Sequence, residues 1–309
     1  EADTVATQFR TLLYEKDKEV PNILYITLNR PEKRNAISIG PNEVTGEIQE
    51  AVRLANDDDD IKVVIFRGRG TSFSAGFDLS MVYRVYGGEP GVRPAQATRL
   101  RIDDEQLLGM PRAVLACHKV TIAQVHGWCI EAGMYIVESC DIAVAAKNSL
   151  FCHRGQRLAF GGMPYIPLEL LSGHTKKITE LLITGRTIDG EEAERCGIIT
   201  KAVPPEDLEQ EVRLLAEAIC HLPMDAIVMG RMCRRMVYES LNMTGVMPLV
   251  TYHTLGTNIH YRPEERGVVF IRDREELGAR EAFHKLHLDF EAALNRTKYF
   301  KSLEPGGSL

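Results

Sequence analysis

Three strand-length, largely apolar runs, Ile61–Gly68 (IKVVIFRG), Thr121–Val125 (TIAQV) and Ile142–Ala146 (IAVAA), constrain this chain more than any other feature. A strand with one wet face alternates apolar and polar residues, whereas a run that is apolar almost throughout must be covered on both faces. The cover is written into the intervening segments. Ile39–Ala55 repeats with helical spacing and places Val44, Ile48, Val52 and Ala55 on one side, and a helix-length segment, Ala132–Cys140, separates the last two runs. Asn22–Arg30 (NILYITLNR) is apolar at alternate positions and stops at Pro31, as a further strand would. Strands alternating with helices predict an α/β architecture.

The second half changes character. Lys176–Thr184 has helical spacing, and Asp189–Gly197 resembles a short helix stopped by its glycine. Val203–Leu208 (VPPEDL) then opens an amphipathic helix to about Leu222, with proline where a helix start tolerates it. From Pro223 onward nearly everything reads as helix, with a break at Arg262-Pro263. The expected organisation is a core over 1–222 and a helical region over 223–309. Met81–Gln96, punctuated by Gly87, Gly88, Pro90, Gly91 and Pro94, is the long loop and a candidate lid.

Charge and cysteine usage exclude several functions. A net charge of −6 with no basic stripe argues against a nucleic-acid partner. The run Asp57–Asp60 reads as a solvated turn before a strand, since four consecutive carboxylates cannot all point at one ion. Seven cysteines (Cys117, Cys129, Cys140, Cys152, Cys196, Cys220 and Cys233) show no CxxC spacing and no zinc pattern, which suits reduced thiols in a cytoplasmic compartment. The N-terminal EADTVATQFRTLLYEKD is acidic and broken by charge, unlike a signal peptide or a membrane span. No metal and no membrane partner are expected.

The candidate chemistry lies at two places where a strand gives way to a turn and then to a helical pattern: Ser72–Leu79 (SFSAGFDL) and Thr121–Asp141 (TIAQVHGWCIEAGMYIVESCD). Backbone N–H groups at such turns can converge on one oxygen and stabilise a carbonyl that becomes an enolate or a tetrahedral adduct. Ala132 opens the second helical pattern, where the first donors have no partner within the helix and the dipole favours an anion. The competing reading is that Ala75-Gly76 and Ala132-Gly133 only permit close packing.

These segments carry a resemblance. Leu28–Ser38 (LNRPEKRNAIS), Phe73–Leu79 (FSAGFDL), His126–Ala146 and Thr184–Leu208, in that order, resemble the enoyl-CoA hydratase/isomerase family, the crotonase superfamily. The resemblance runs from about Asn22 to Leu222 and is loose beyond. It implies a spiral of ββα units, a helical C-terminal region serving oligomerisation as a homotrimer or homohexamer, and an acyl-CoA substrate, with coenzyme A arriving as part of that substrate and no permanently bound cofactor. It places the first oxyanion donor on the N–H of Ala75 and the second on Ala132. Coenzyme A contacts fall on Lys33, Arg34 and Ala36, with Asp78 and Leu79 near the adenine. Lys33 and Arg34 read equally well as solvated charges beside a turn.

The two glutamates that hydratases of this family use are replaced: Tyr135 stands at the first position and Gly155 at the second. His153 is the natural acid/base substitute or a satisfied buried histidine. Glu169 is either the nearby carboxylate or a surface helix residue, and Tyr135 is either a hydrogen-bonding group or packing. Glu131, at the turn of the second donor, faces the site or caps the helix. The expected activity is therefore enolate chemistry on an acyl-CoA with a reassigned acid/base set. Two alternatives stay open: a C–C bond hydrolase that opens a β-dicarbonyl substrate, and a catalytically silent acyl-CoA-binding scaffold.

Overall fold

A computed structural model describes residues 9–81, 95–155, 173–241 and 270–297. Its centre is a six-stranded sheet in the order β1 (Leu12–Lys16), β2 (Ile23–Leu28), β3 (Val63–Gly68), β4 (Val120–Val125), β6 (Ile142–Ala146), β9 (Lys201–Val203). All neighbours are parallel except the antiparallel pair β1–β2 at the edge. Successive residues of β3 serve opposite cores. Val64 and Phe66 join Leu24, Ile26, Ala123 and Val125 on one face, while Val63 and Ile65 join Ile23, Ile122, Val144 and Val203 on the other. Burial of both faces is why β3 is written as an unbroken apolar run.

The first face is covered by α1 (Val44–Asp57), whose Val44, Ile48, Val52 and Ala55 are all buried, as the spacing predicts. The helix begins at Val44 rather than Ile39. Pro41 has no N–H to contribute, and the chain stays extended at Glu43 before the helical turn closes. On this side lies a continuous helical stretch: α2 (Gln96–Ile102), a wide π-turn (Asp103–Leu108) and α3 (Gly109–Leu115). The second face is covered by Leu208, Val212 and Ala216 of α7 (Leu208–Cys220).

A smaller sheet, ordered β5 (Trp128–Ile130), β7 (Leu150–Cys152), β8 (Ile188–Asp189), stands beside the first. Gly127 joins the two by linking β4 to β5 with φ +58, and a Cβ there would lie 2.0 Å from the Thr71 carbonyl oxygen. Only glycine meets both demands. α4 (Ala132–Ser139) follows β5 and is buried along its whole length. α5 (Thr175–Thr184) and α6 (Gly190–Cys196) complete this part. Asp189 caps α6 by accepting the Glu192 N–H, and Gly197 ends it with φ 78.

Three further helices are described in the C-terminal region: α8 (Met224–Ser240), α9 (Phe270–Leu277) and α10 (Ala279–Leu294). Arg231 of α8 reaches under the end of α3, where its guanidinium donates to the carbonyls of Cys117 and Leu115 and pairs with Asp141. One buried cation thus ties α8 to the core. The 82–94 part of the candidate lid lies outside the described residues.

Candidate active site

The two strand-to-helix turns meet. Phe73 and Ser74 donate their N–H groups to the carbonyls of His126 and Trp128, and Ile130 donates back to Ser74, so the first turn runs along β5. A Cβ on Gly133 would sit 2.9 Å from Ser74 Cβ, and one on Gly76 would sit 3.1 Å from the Ile130 carbonyl oxygen. Close packing at these glycines is therefore real, and it brings the start of α4 against residues 74–76.

Which N–H groups stay open corrects the sequence expectation. Ala75 donates to the Arg34 carbonyl at 2.9 Å, so its N–H is spent inside the loop. The cause is local. Arg34 and Asn35 both adopt left-handed backbone, with φ 48 and 54, and this turn carries the Arg34 carbonyl over the loop. Asn35 then fixes the turn by accepting from Arg30 and donating to the carbonyls of Arg69 and Ser72. Two residues on, Ile37 pairs with Phe77 in a parallel bridge: Ile37 donates to Gly76 and accepts from Asp78. In that register the N–H of Phe77 points away from Ile37, and it takes none of the hydrogen bonds found among the described residues.

At the second turn Glu131 has φ 40 and ψ −106, donates to Cys152 and accepts from Tyr135. Ala132 is the first helical residue, fully buried, and its N–H has no partner within the helix. Glu131 does not cap the helix with its side chain. Its carboxyl instead accepts the backbone N–H of Arg154, just beyond β7. Burial pushes that carboxyl up to about 7, against the lowering effect of the Arg154 N–H and charge.

Tyr135 and His153 come together. Tyr135 Oη and His153 Nε2 are 3.1 Å apart, both residues are buried, and the Phe77 ring meets the Tyr135 ring edge-on at 6.2 Å. Burial lowers His153 to about 4, so the imidazole is neutral near pH 7. It borders a small cavity lined by Met134, Phe151, Ile178 and Leu181 together with the charged Glu138 and Arg186. Glu169 lies outside the described residues.

Among the candidate coenzyme A contacts, Asp78 is turned inward. Burial pushes its carboxyl up, but hydrogen bonds from Ser80, Arg30 and Lys33 outweigh this and hold it down to about 2. Arg30 lies at 2.9 Å and Lys33 at 3.1 Å. Leu79 packs against the core, and Ala36 is half-buried with its carbonyl taken by Arg30. Arg34 is exposed, and no ion pair involves it among the described residues.

The sequence pattern of the enoyl-CoA hydratase/isomerase family matches residues 18–261. This chain belongs to that family. An enoyl-CoA hydratase homologue of Mycobacterium tuberculosis, EchA13, is 32% identical over 254 residues, which cover 77% of this chain and 75% of the relative. The rat mitochondrial enoyl-CoA hydratase domain-containing protein 3 is 30% identical over 216 residues, covering 69% and 67%. The crystal structure of an enoyl-CoA hydratase from Mycobacterium smegmatis superposes with a TM-score of 0.76 at 25% identity, covering 91% of this chain and 94% of that one. The architecture of this family member is accordingly the crotonase fold. Phe77 was missed by the sequence reading. The signal that could have found it is the alternation along 76–78, where every second N–H faces away from the strand that pairs with it.

Proposed function

We propose that this family member acts on an acyl-CoA thioester through an enolate held by the backbone N–H groups of Phe77 and Ala132. The observation that carries the reading is the juxtaposition of two open donors, at turns in van der Waals contact, with the buried Tyr135–His153 pair. A thioester oxygen seated between the donors would gain charge as the α-proton leaves, and each donor would contribute roughly 2.7–4 kcal/mol in the transition state. Arg34 offers an exposed guanidinium to the phosphates of coenzyme A, with Lys33 beside it on the same turn. The adenine contact expected of Asp78 is replaced in this reading by a brace, because its carboxylate already holds Arg30 and Lys33.

Positions 135 and 155 carry no carboxylate, so the two-glutamate hydration mechanism does not operate here. Tyr135 and His153 form a neutral hydrogen-bonding pair that would orient water or a substrate hydroxyl. An imidazole lowered to about 4 is a weak proton acceptor near neutrality, which disfavours His153 as the sole base. The same absence favours ring-opening hydrolysis of a β-dicarbonyl as the second reading, since oriented water and an oxyanion hole are its two requirements. Seven free thiols suit a cytoplasmic location, and no helix among the described residues is long and apolar enough to cross a membrane.

A panel of CoA thioesters analysed by mass spectrometry and NMR tests this reading. Hydrated, isomerised and hydrolysed products are distinct, and binding without turnover would identify a silent scaffold. Tyr135→Phe should lower turnover about tenfold or more while leaving thioester binding intact. An unchanged rate would remove the Tyr135–His153 pair from the mechanism.

A further inference from the structure

Forming the enolate by deprotonation requires a base for the α-proton, and the backbone at residue 131 points to that base. Three non-glycine residues among those described have positive φ. Arg34 sits in the ordinary left-handed well, at φ 48 and ψ 40. Glu131, at φ 40 and ψ −106, lies outside that well, in a region that L-residues rarely adopt. Such an outlier persists only when its surroundings over-determine it, and it points toward function. Glycine would hold this turn without strain.

The side chain adds a second cost. It is buried, and its acidic group is used neither as a helix cap nor in any salt bridge found among the described residues. It accepts the backbone N–H of Arg154. That bond places a carboxyl one residue from Gly155, where the family pattern calls for a glutamate and this chain has no side chain at all. The same residue is one peptide bond from Ala132, whose N–H is the second oxyanion donor. The α-carbon of a seated thioester is two bonds from the oxygen on that donor.

We propose that Glu131 is the proton-transfer group of this site, delivering from the turn before α4 the carboxyl that position 155 lacks. The inference rests on the acyl-CoA reading above. In the step, the Glu131 carboxylate takes the α-proton, forming an O–H bond as the C–H bond breaks. The released electron pair moves through the carbon–carbon bond to the thioester oxygen, held by the N–H groups of Phe77 and Ala132. Return of the proton to the α- or γ-carbon regenerates the carboxylate. A group that served only to satisfy the Arg154 N–H would be replaced without loss by glutamine, which offers the same acceptor without a titratable proton.

Deuterium incorporation at the α-carbon of butyryl-CoA in D2O, followed by NMR, isolates this step from the overall reaction. Full-length wild-type protein should exchange the α-protons. Glu131→Gln should slow exchange about 10²–10⁴-fold while calorimetric binding of butyryl-CoA changes by less than about threefold. Glu131→Gly, which relieves the backbone, should be equally slow, and added formate should restore part of its rate. Glutamine-substituted protein exchanging at the wild-type rate would overturn the assignment. Wild type that binds butyryl-CoA without exchange would also overturn it and leave only acyl-CoA binding standing, whereas wild type that does not bind would remove both.

Discussion

Replacing Glu131 with glutamine should change stability in a way that depends steeply on pH. The carboxyl stands at 4.5 in an unfolded chain and at about 7 in the native protein, because burial penalises its charged form. A folded value above the unfolded one means that the native state binds more protons between those limits. The contribution to stability is therefore fully present below pH 4.5 and is lost as pH rises through about 7. The gap between 4.5 and about 7 corresponds to about 3 kcal/mol of native stability lost on ionisation. Glutamine keeps an acceptor for the Arg154 N–H and cannot ionise, so it escapes that loss. Urea melts of both proteins at pH 4.5 and pH 8 give the comparison directly. The stability of Glu131→Gln relative to wild type should rise by about 3 kcal/mol between the two conditions. Glu131→Gly should show the same rise with pH, with relief of the backbone offset at both pH values by loss of the acceptor for the Arg154 N–H. A difference that does not change with pH would show that the carboxyl titrates normally, and the buried-acid argument would fall with it.

His153 should act in the opposite sense. Its lowered value, about 4 against 6.5, makes wild-type stability fall as pH drops through that interval, and His153→Gln should flatten the acid limb of a urea-midpoint profile. Arg231→Met should cost about 3 kcal/mol or more, because Asp141 and the carbonyls of Cys117 and Leu115 lose their shared donor. Urea midpoints would read that cost, and amide exchange should show α8 loosening first. Gly127→Ala should destabilise by more than about 2 kcal/mol, since the new methyl group meets the Thr71 carbonyl and φ stays positive; a Tm equal to wild type would refute this. Met229, Met232, Met236 and Val237 form an exposed stripe along α8, so light scattering should give three or six times 34.6 kDa rather than a monomer.

Sequence alone determined the features that local pattern sets. The apolar run at 63–66 had to be a doubly covered strand, Val44, Ile48, Val52 and Ala55 had to share one buried side, and Asp189 and Gly197 marked the ends of a short helix. Each rests on interactions spanning a few residues, or on a periodicity that water enforces regardless of partner. The opening of α4 at Ala132 was legible for the same reason, because a helix start leaves its first N–H groups unpaired by geometry. The edge strand β1 was not, since Leu12–Lys16 buries little and gains its strand character from β2. Nor were the three-residue strands β5 and β7, which exist because they pair with each other across about twenty residues of chain. The choice between Ala75 and Phe77 as the open donor was also tertiary. Both sit in the same small-residue turn, and only the arrival of Arg34 and Ile37 from about forty residues earlier decides which N–H is consumed. Glu131 shows the contrast most sharply. In the sequence it is an acid before a helix, and it becomes a buried proton-binding group only where β7 and the Arg154 N–H close over it.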